Sequence, residues 1–526
     1  MHAVETFEVI LILLALVFAL HWVALKLKWP PATVLLVGGG AIAFVPGLPE
    51  VVLDPSLALA LFLPPLLVDG AFHTALGRFR RHLAGILSLA VGAVIFTTLA
   101  VGVVTHWLVP SLPWGACFAL GAVVSPPDAV SARAVLKGVS IPRRLTTLLE
   151  GESLLNDATG LIVFRFAVAA ALTGAFSLGQ ATMGFSILAV GGVIVGLAIG
   201  YAWYFIVQRL HDRMLIIGAT LLLSWVAYLA GEALHVSGVI AVVVAGLVQG
   251  WHQHTVIPAG VRLQGRAVAE LTSFVLEALV FILIGFSLRG VIERMGEAGG
   301  LETTTVLAVL GVVVTVAVAR FVWIFAADGF LTLAHRLGRK RTPLGWRQAT
   351  VLSWAGMRGV VTLAIALTTP IDMPGRDLIL ISAFAVIFVT IILQGSSLGW
   401  LIRLVRPVDL EPQAETSMAQ AELIIARAKH SVIHAFAHAP DGTVRHPQML
   451  ELHTRRVTFM ERYAQNAQTE LEDMQPQFDA VLDCIAAGRA ALIDLHRKGL
   501  IEDEVLHNLE RDLDVEELGV MFQRSE

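Results

Sequence analysis

The segment at residues 150–165, EGESLLNDATGLIVFR, carries carboxylate, hydroxyl and amide groups inside a stretch that otherwise has the composition of a membrane-spanning helix. Ionisable groups are costly at membrane depth and usually mark an ion or proton pathway. At helical spacing, Ser153 and Asp157 lie one turn apart on one face, and Glu152 lies one turn before Asn156. Such hard oxygen ligands suit a small cation. A hydrogen-bonded contact between helices is the structural alternative.

Three arginines, Arg165, Arg320 and Arg358, also fall at or near membrane depth. Each needs an acid or a water-filled cavity nearby, because a charge is costly in the bilayer. We predict that Glu152 pairs with one of these arginines, since an unpaired buried charge would be strongly destabilising. The sequence alone does not choose the partner.

Asp128 follows Pro126 and Pro127 near the middle of another apolar segment. Two consecutive prolines disrupt a helix and leave carbonyl groups free. Transporters use such breaks to build ion sites at the membrane midplane. A second break is predicted at Gly-Met-Arg-Gly, residues 356–359, and the position of one break in each half suggests inverted repeats. For Asp128 the alternative is a polar cap on the broken helix.

The elements that position these groups are predicted to be membrane helices. The chain is 56% hydrophobic and 15% charged, with a net charge of −4, whereas soluble domains have about 25% charged residues. This charge argues against a nucleic acid partner, and the two cysteines, Cys117 and Cys484, support neither a disulfide framework nor a cysteine metal site. Thirteen apolar segments are compatible with spanning helices, centred near Leu14, Gly38, Leu63, Gly92, Val124, Gly160, Val195, Ser224, Val243, Val280, Val314, Val361 and Ile387.

The loop charges predict the orientation of these segments. When alternate loops are assigned to opposite sides, one side holds twenty Lys and Arg residues and the other holds three. The positive-inside rule then places the N-terminus outside and the C-terminus in the cytoplasm. The first apolar run, residues 7–25, has no basic leader or small-residue cleavage site, so we expect a retained helix.

The composition changes after Arg406, which divides the chain into a transmembrane domain, residues 1–406, and a domain at residues 407–526. The second domain is polar with amphipathic stretches, and we predict a mostly helical cytoplasmic tail. His430, His434 and His438 recur at one-turn intervals in it. They indicate either a pH sensor or metal site or, more simply, a solvated helix face.

Four motifs occur together with plausible spacing: GESLLNDATGLIVFRFA, SPPDAVSARAV, VLEALVFILIGF and SWAGMRGVVTLAIAL. Together they resemble the monovalent cation:proton antiporter-1 family, which includes bacterial sodium/proton antiporters and animal sodium/hydrogen exchangers. The resemblance covers about residues 5–406 and does not extend to the tail. It implies an all-α polytopic membrane fold with inverted repeats, two crossed discontinuous helices and a homodimer.

The resemblance also implies roles for the residues of the cation site. Asp157, preceded by Asn156, would carry either the cation or the proton, and Ser153 would be a ligand of the transported Na⁺ beside it. Asp69, in LPPLLVDGAF, matches an acidic position that reaches the cation directly or through water.

Two further assignments concern the breaks and the buried charges. Glu152 matches an acid whose arginine partner in the family matches Arg320, and Arg358 matches a structural or regulatory arginine. Many family members carry Thr-Asp-Pro where this chain has Pro-Asp-Ala. The Pro127 carbonyl remains a candidate ligand, but no hydroxyl is available there, and direct ligation by Asp128 is an open question.

The expected function is therefore antiport of Na⁺, with Li⁺ as a further candidate, against H⁺ across a bacterial inner membrane. An Asn-Asp pair resembles the electroneutral branch, which exchanges one cation for one proton. A K⁺/H⁺ antiporter of the same fold is the nearest alternative. An intramembrane aspartyl protease would also use two buried aspartates, but its Gly-x-Gly-Asp signature is absent. We expect no enzymatic activity and no cofactor apart from the transported ions.

Overall fold

The computed structural model describes residues 3–45, 55–128, 141–174, 177–297, 303–337, 342–409, 417–439, 441, 443–465 and 467–525. The chain forms two compact units, Met1–Leu410 and Glu411–Glu526. Within the described ranges every regular element is helical, and the only strand-like pairing is an isolated bridge between His438 and Val444.

The first unit contains sixteen α-helical segments and two π-helical segments among its described residues. The π segments are Ser88–Ala93 and Thr390–Gly395, and each joins the α-helix before it to the α-helix after it without a break. The helices are α1 Ala3–Leu27, α2 Pro31–Ala43, α3 Pro55–His73, α4 Leu76–Leu87, α5 Val94–Leu108, α6 Trp114–Val124, α7 Arg143–Thr173, α8 Leu178–Val207, α9 Arg213–Ala233, α10 Gly238–Val256, α11 Ala259–Glu297, α12 Thr303–Arg336, α13 Trp346–Trp354, α14 Val360–Leu367, α15 Arg376–Val389 and α16 Ser396–Val405.

Among the described residues, seven helical spans are long and apolar enough to cross a membrane, and four shorter apolar helices accompany them. The prediction of an all-α membrane protein is therefore confirmed. Each of the thirteen predicted segment centres lies within a helix or a π segment. The number of crossings and the inverted repeats stay predictions.

Glycines set the close packing of the first unit. On α8, Gly192 and Gly196 face α10 so closely that an added Cβ would meet the carbonyl oxygens of Ser237 and Ala241. Gly39 on α2 similarly approaches Ile282 on α11. In a membrane, where hydrophobic association of helices is weak, such small residues allow backbones to approach and gain van der Waals contact.

Local capping explains where several helices begin. Asp212 accepts a hydrogen bond from the Leu215 N–H at 2.9 Å at the start of α9, and Ser237 accepts one from the Ile240 N–H at 3.3 Å at the start of α10. Asp328 on α12 accepts the Leu344 N–H at 2.5 Å and thereby ties the residues just before α13 to α12. These bonds satisfy N–H groups that would otherwise lack partners.

The described residues of the second unit form four helices: α17 Met418–Ala437, α18 Pro447–Gln465, α19 Ala467–Arg497 and α20 Asp503–Ser525. They pack in pairs, α17 on α18 and α19 on α20. A capping box between Ser417 and Gln420 begins α17. The described residues of this region are mostly helical, as predicted. Its cytoplasmic location stays a prediction.

Candidate functional site

Two non-helical segments meet inside the first unit, and we call them the crossing: Ser125–Asp128 after α6, and Ala355–Gly359 between α13 and α14. The Asp128 N–H donates to the Met357 carbonyl at 2.6 Å, so the two segments are joined through their backbones. Both interruptions were predicted, one from Pro126–Pro127 and one from the glycines of GMRG. Residues 129–140, which continue the first segment, lie outside the described residues.

Helix α7 lies directly against the first segment of the crossing. The Asn156 Nδ2 donates to the Pro127 carbonyl, and Gly160, one turn later, leaves space that Pro126 occupies. Because the Nδ2 of the Asn156 side chain donates a hydrogen bond to this carbonyl, the orientation of the side-chain amide is fixed. Its buried Oδ1 is left without a hydrogen-bond partner among the described residues.

Asp157 follows Asn156 and is 7% exposed. Among the hydrogen bonds and ion pairs of the described chain, none reaches its carboxylate. Ser153, one turn earlier on the same helix, is partly buried. A buried carboxylate without a fixed partner is costly when ionised, and it gains most from an arriving proton or cation.

Glu152 has the opposite environment, although it lies on the same helix. Arg320 on α12 binds it with two nearly parallel hydrogen bonds, Nη1 to Oε1 at 2.5 Å and Nη2 to Oε2 at 2.8 Å. Both side chains are at most 3% exposed. Arg320 also donates to the Leu352 carbonyl near the end of α13. The charge of Glu152 is therefore already neutralised, and this carboxylate is tied to the frame around the crossing.

Arg358, another of the three arginines considered for Glu152, has backbone partners instead. Its guanidinium donates to the carbonyls of Val124 at 3.0 Å, Ser125 at 3.3 Å and Gly356. The first two are carbonyls at the C-terminal end of α6, where the helix dipole is negative and intrahelical partners end. Arg358 thus holds both segments of the crossing with one fully buried side chain.

The remaining predicted acids take separate positions. The Asp128 carboxylate occupies the space where a Cβ on Gly359 would lie, so it sits against the second segment of the crossing. Asp69 on α3 lies beside His73, with 3.3 Å between Oδ1 and Nδ1. In the described contacts Asp69 is not bonded to Asp157. Among the described contacts, Asp69 is therefore linked to α7 only by the packing of its own helix, α3, against α7.

Several groups at the site gave no signal in the sequence. The Thr390 hydroxyl, in the second π segment, accepts the Arg358 N–H at 3.0 Å. The Ser125 hydroxyl accepts from Thr98 on α5 at 3.3 Å and donates to Ala122. Serine and threonine are common in membrane helices, where they bond to their own backbone, so composition did not distinguish these two. Arg165 was noted in the sequence as a candidate partner of Glu152, but it pairs with Glu232 at 3.2 Å, between α7 and α9.

The arrangement is suited to weak and reversible cation binding. Within the described part of the chain, no group of three or more His, Cys, Asp or Glu residues is placed to hold a metal ion. The oxygen groups near the crossing are instead one unpaired carboxylate, an amide oxygen, a serine hydroxyl and backbone carbonyls. Hard oxygen ligands of this kind suit a monovalent cation that must leave again.

Comparison with known proteins gives consistent results. A family model described as "Sodium/hydrogen exchanger, transmembrane" matches residues 12–404. The chain is 34% identical over 506 residues to an uncharacterized Na(+)/H(+) exchanger of Mycobacterium tuberculosis, covering 93% of this chain and 92% of that one. It is 32% identical over 408 residues to the sodium, potassium, lithium and rubidium/H(+) antiporter of Bacillus subtilis, covering 74% of this chain and 60% of that one. The structure resembles the sodium proton antiporter MjNhaP1 of Methanocaldococcus jannaschii with a TM-score of 0.60 and 20% identity, covering 76% of this chain and 99% of that one.

Proposed function

The chain belongs to the sodium/hydrogen exchanger family, and from this premise we propose that it exchanges Na⁺ or Li⁺ for H⁺ with Asp157 as the shared carrier. One observation carries the assignment: of two carboxylates buried on α7, Glu152 is bound by Arg320, whereas Asp157 has no partner among the described residues. An unpartnered carboxylate can accept a proton or a cation, but not both.

Competition for one carboxylate gives the coupling. When Asp157 is protonated it offers no charge to a cation, and when a cation is bound the proton has left. Each transport cycle then moves one cation against one proton, so the exchange is electroneutral. Asn156 and Ser153 supply neutral oxygens that replace part of the cation's hydration shell, while the Pro127 carbonyl retains one lone pair beyond its bond to Asn156.

The crossing supports an alternating-access mechanism. Its two segments are held together by the Asp128–Met357 backbone bond and by Arg358, so they can move as one body with α6, α13 and α14. The glycine-packed layer of α8 and α10 forms a second body. We propose that the first body moves against the second and exposes Asp157 to either side of the membrane in turn.

The setting of the exchanger is part of the same proposal. The loop charges favour an orientation with the N-terminus outside and the C-terminal unit in the cytoplasm. A bacterial inner membrane is the expected location, as the family resemblance implies. A homodimer surrounded by lipid is the expected assembly, as the family resemblance implies.

A second candidate is exchange of K⁺ for H⁺ at the same site. The observation that favours it is the Bacillus subtilis relative, whose name includes potassium and rubidium as well as sodium and lithium. Oxygen ligands alone separate Na⁺ from K⁺ poorly, because the selectivity depends on the number and field strength of the ligands.

The test is proton flux in inside-out vesicles after addition of NaCl, LiCl or KCl. We expect Na⁺ and Li⁺ to discharge an imposed pH gradient in the wild type and not in Asp157→Asn. Asp372→Asn, the same change at an exposed turn, is the matched control and should retain exchange. Discharge by K⁺ alone would keep the mechanism and change the substrate. If Asp157→Asn still exchanges cations, another group is the carrier.

A further inference from the structure

Helix α17 of the second unit has an apolar seam with a seven-residue repeat. Met418, Ile425 and Val432 are spaced by seven, and Ala421, Ala428 and Ala435 follow each of them by three. These are the a and d positions of two and a half heptads. The three large residues are 59%, 54% and 68% exposed, so the unit leaves the seam open to solvent.

The packing of α17 on α18 uses the other side of the helix. Ala419, Ala426 and Ala437 are buried there. Arg427 pairs with Glu461 on α18 at 2.8 Å. The seam is therefore not a part of the α17–α18 contact. A further partner would remove its exposed apolar side chains, including Ile425 and Val432, from water.

The seam has the pattern of a helix–helix contact rather than of a lipid-binding face. A face that lies in a membrane surface is wide, rich in Trp, Phe and Leu, and bordered by many Lys and Arg. Here the repeat is a narrow a/d stripe in which every second position is alanine, although Ile424 and Phe436 widen it at two points. Narrow a/d stripes are the seams of coiled coils.

We propose that α17 pairs with α17 of a second copy of this chain, in antiparallel orientation. In that orientation residues whose numbers sum to 853 face each other, so Met418 meets Ala435, Ile425 meets Ala428 and Val432 meets Ala421 of the partner copy. Each layer then joins one large and one small side chain. The volumes are complementary, which allows close packing without voids.

The charges beside the seam fit the same orientation. Glu422 and Lys429 occupy successive e positions, and in the antiparallel pair Glu422 of each copy lies near Lys429 of the other. Residues at such flanking positions set the orientation of coiled coils. In a parallel pair each d position would face the d position of the other copy, so alanine would face alanine and leave a gap.

The pairing has two-fold symmetry, which a dimer of the whole chain can share. An isologous contact of this kind places the same surface on both copies and closes without further growth. The inference does not depend on which ion is transported or on Asp157.

Disulfide crosslinking of the full-length protein in membrane vesicles tests the pairing. In a Cys484→Ser background, the double variant Met418→Cys/Ala435→Cys should form disulfide-linked dimers on mild oxidation, whereas either single variant should not. Within one copy the two positions are about 25 Å apart along the helix, whereas a disulfide needs Cα atoms within roughly 4.4 to 6.8 Å. A dimer that forms with the double variant and with neither single variant joins position 418 of one copy to position 435 of the other, and therefore comes from antiparallel partners.

Charge reversal provides a second measurement on the same crosslink. Glu422→Lys or Lys429→Glu alone should reduce the yield of the dimer, and the double reversal should restore it. Dimers of the single variant Met418→Cys would instead show parallel pairing and overturn the proposal. A double variant that stays monomeric while exchange activity and expression are normal would also overturn it.

Discussion

Removing the charge of Glu152 is expected to destabilise the first unit strongly, because the charge of Arg320 would remain. Glu152→Gln preserves the size of the side chain and one acceptor oxygen. Arg320 is 3% exposed, and apart from residue 152 its guanidinium has only the neutral Leu352 carbonyl as a hydrogen-bond acceptor among the described residues. Nothing in the described surroundings of this guanidinium replaces the lost carboxylate charge.

The magnitude follows from the burial of the pair. Breaking a buried ion pair by removing one partner costs about 3–5 kcal/mol. Unfolding entropy of about 2.1 cal/mol/K per residue over roughly 400 residues amounts to about 0.8 kcal/mol/K. The expected fall in Tm is therefore about 4–6 °C. Replacing both partners, as in Glu152→Gln/Arg320→Met, removes the charge as well as its partner and should cost less than the sum of the two single changes.

Thermal unfolding of the detergent-purified protein measures these values for the wild type, both single variants and the double variant. A coupling energy of at least about 1 kcal/mol between the two positions is expected for residues in direct contact. Asp157→Asn is the matched comparison on the same helix, and because Asp157 has no partner it should change Tm little. Strict additivity of Glu152→Gln and Arg320→Met, or an unchanged Tm in either single variant, would refute the reasoning.

Three further outcomes are expected. Gly359→Ala places a Cβ where the Asp128 carboxylate lies; such overpacking costs about 1–3 kcal/mol and should lower cation/proton exchange in vesicles. Gly196→Ala inserts a Cβ against a backbone carbonyl on α10 and should lower Tm, whereas Gly218→Ala, with nothing within 4 Å, should raise stability by about 0.5–1 kcal/mol. Asp328→Ala removes the acceptor of two backbone N–H groups, at a cost of about 1–3 kcal/mol, and should speed hydrogen exchange at residues 344–345.

The features that were readable from the sequence are those with local causes. Pro126 and Pro127 cannot donate helical hydrogen bonds, and the structure ends α6 just before them. The glycines of GMRG likewise coincide with the gap between α13 and α14. The family resemblance, carried by long motifs around these breaks, is confirmed by the match over residues 12–404.

The features that were not readable depend on three-dimensional proximity. From their positions in the sequence alone, Arg165, Arg320 and Arg358 were equally eligible partners of Glu152, because all three fall at or near membrane depth; only the family resemblance indicated Arg320. Packing decides which arginine pairs with Glu152: α12 brings Arg320 to the carboxylate, while Arg358 reaches the end of α6. Backbone carbonyls are present at every residue, so no sequence pattern marks Val124 as the group that accepts from an arginine.

The two π segments have a consequence for which length changes this chain can tolerate. At Ser88 the widened turn presents a carbonyl to the Trp323 indole at 3.1 Å, and at Thr390 it presents a hydroxyl to Arg358. A π turn holds one residue more than the α-helical turn it replaces, so deleting one residue there would restore a regular α-helix and leave the half-helix beyond it facing the same neighbours. A one-residue deletion elsewhere in the same helices would instead rotate everything beyond it by about 100°. In homologous chains, one-residue gaps within these two helices should therefore fall at residues 88–93 and 390–395, and a chain with such a gap should lack the Ser88–Trp323 or the Thr390–Arg358 hydrogen bond.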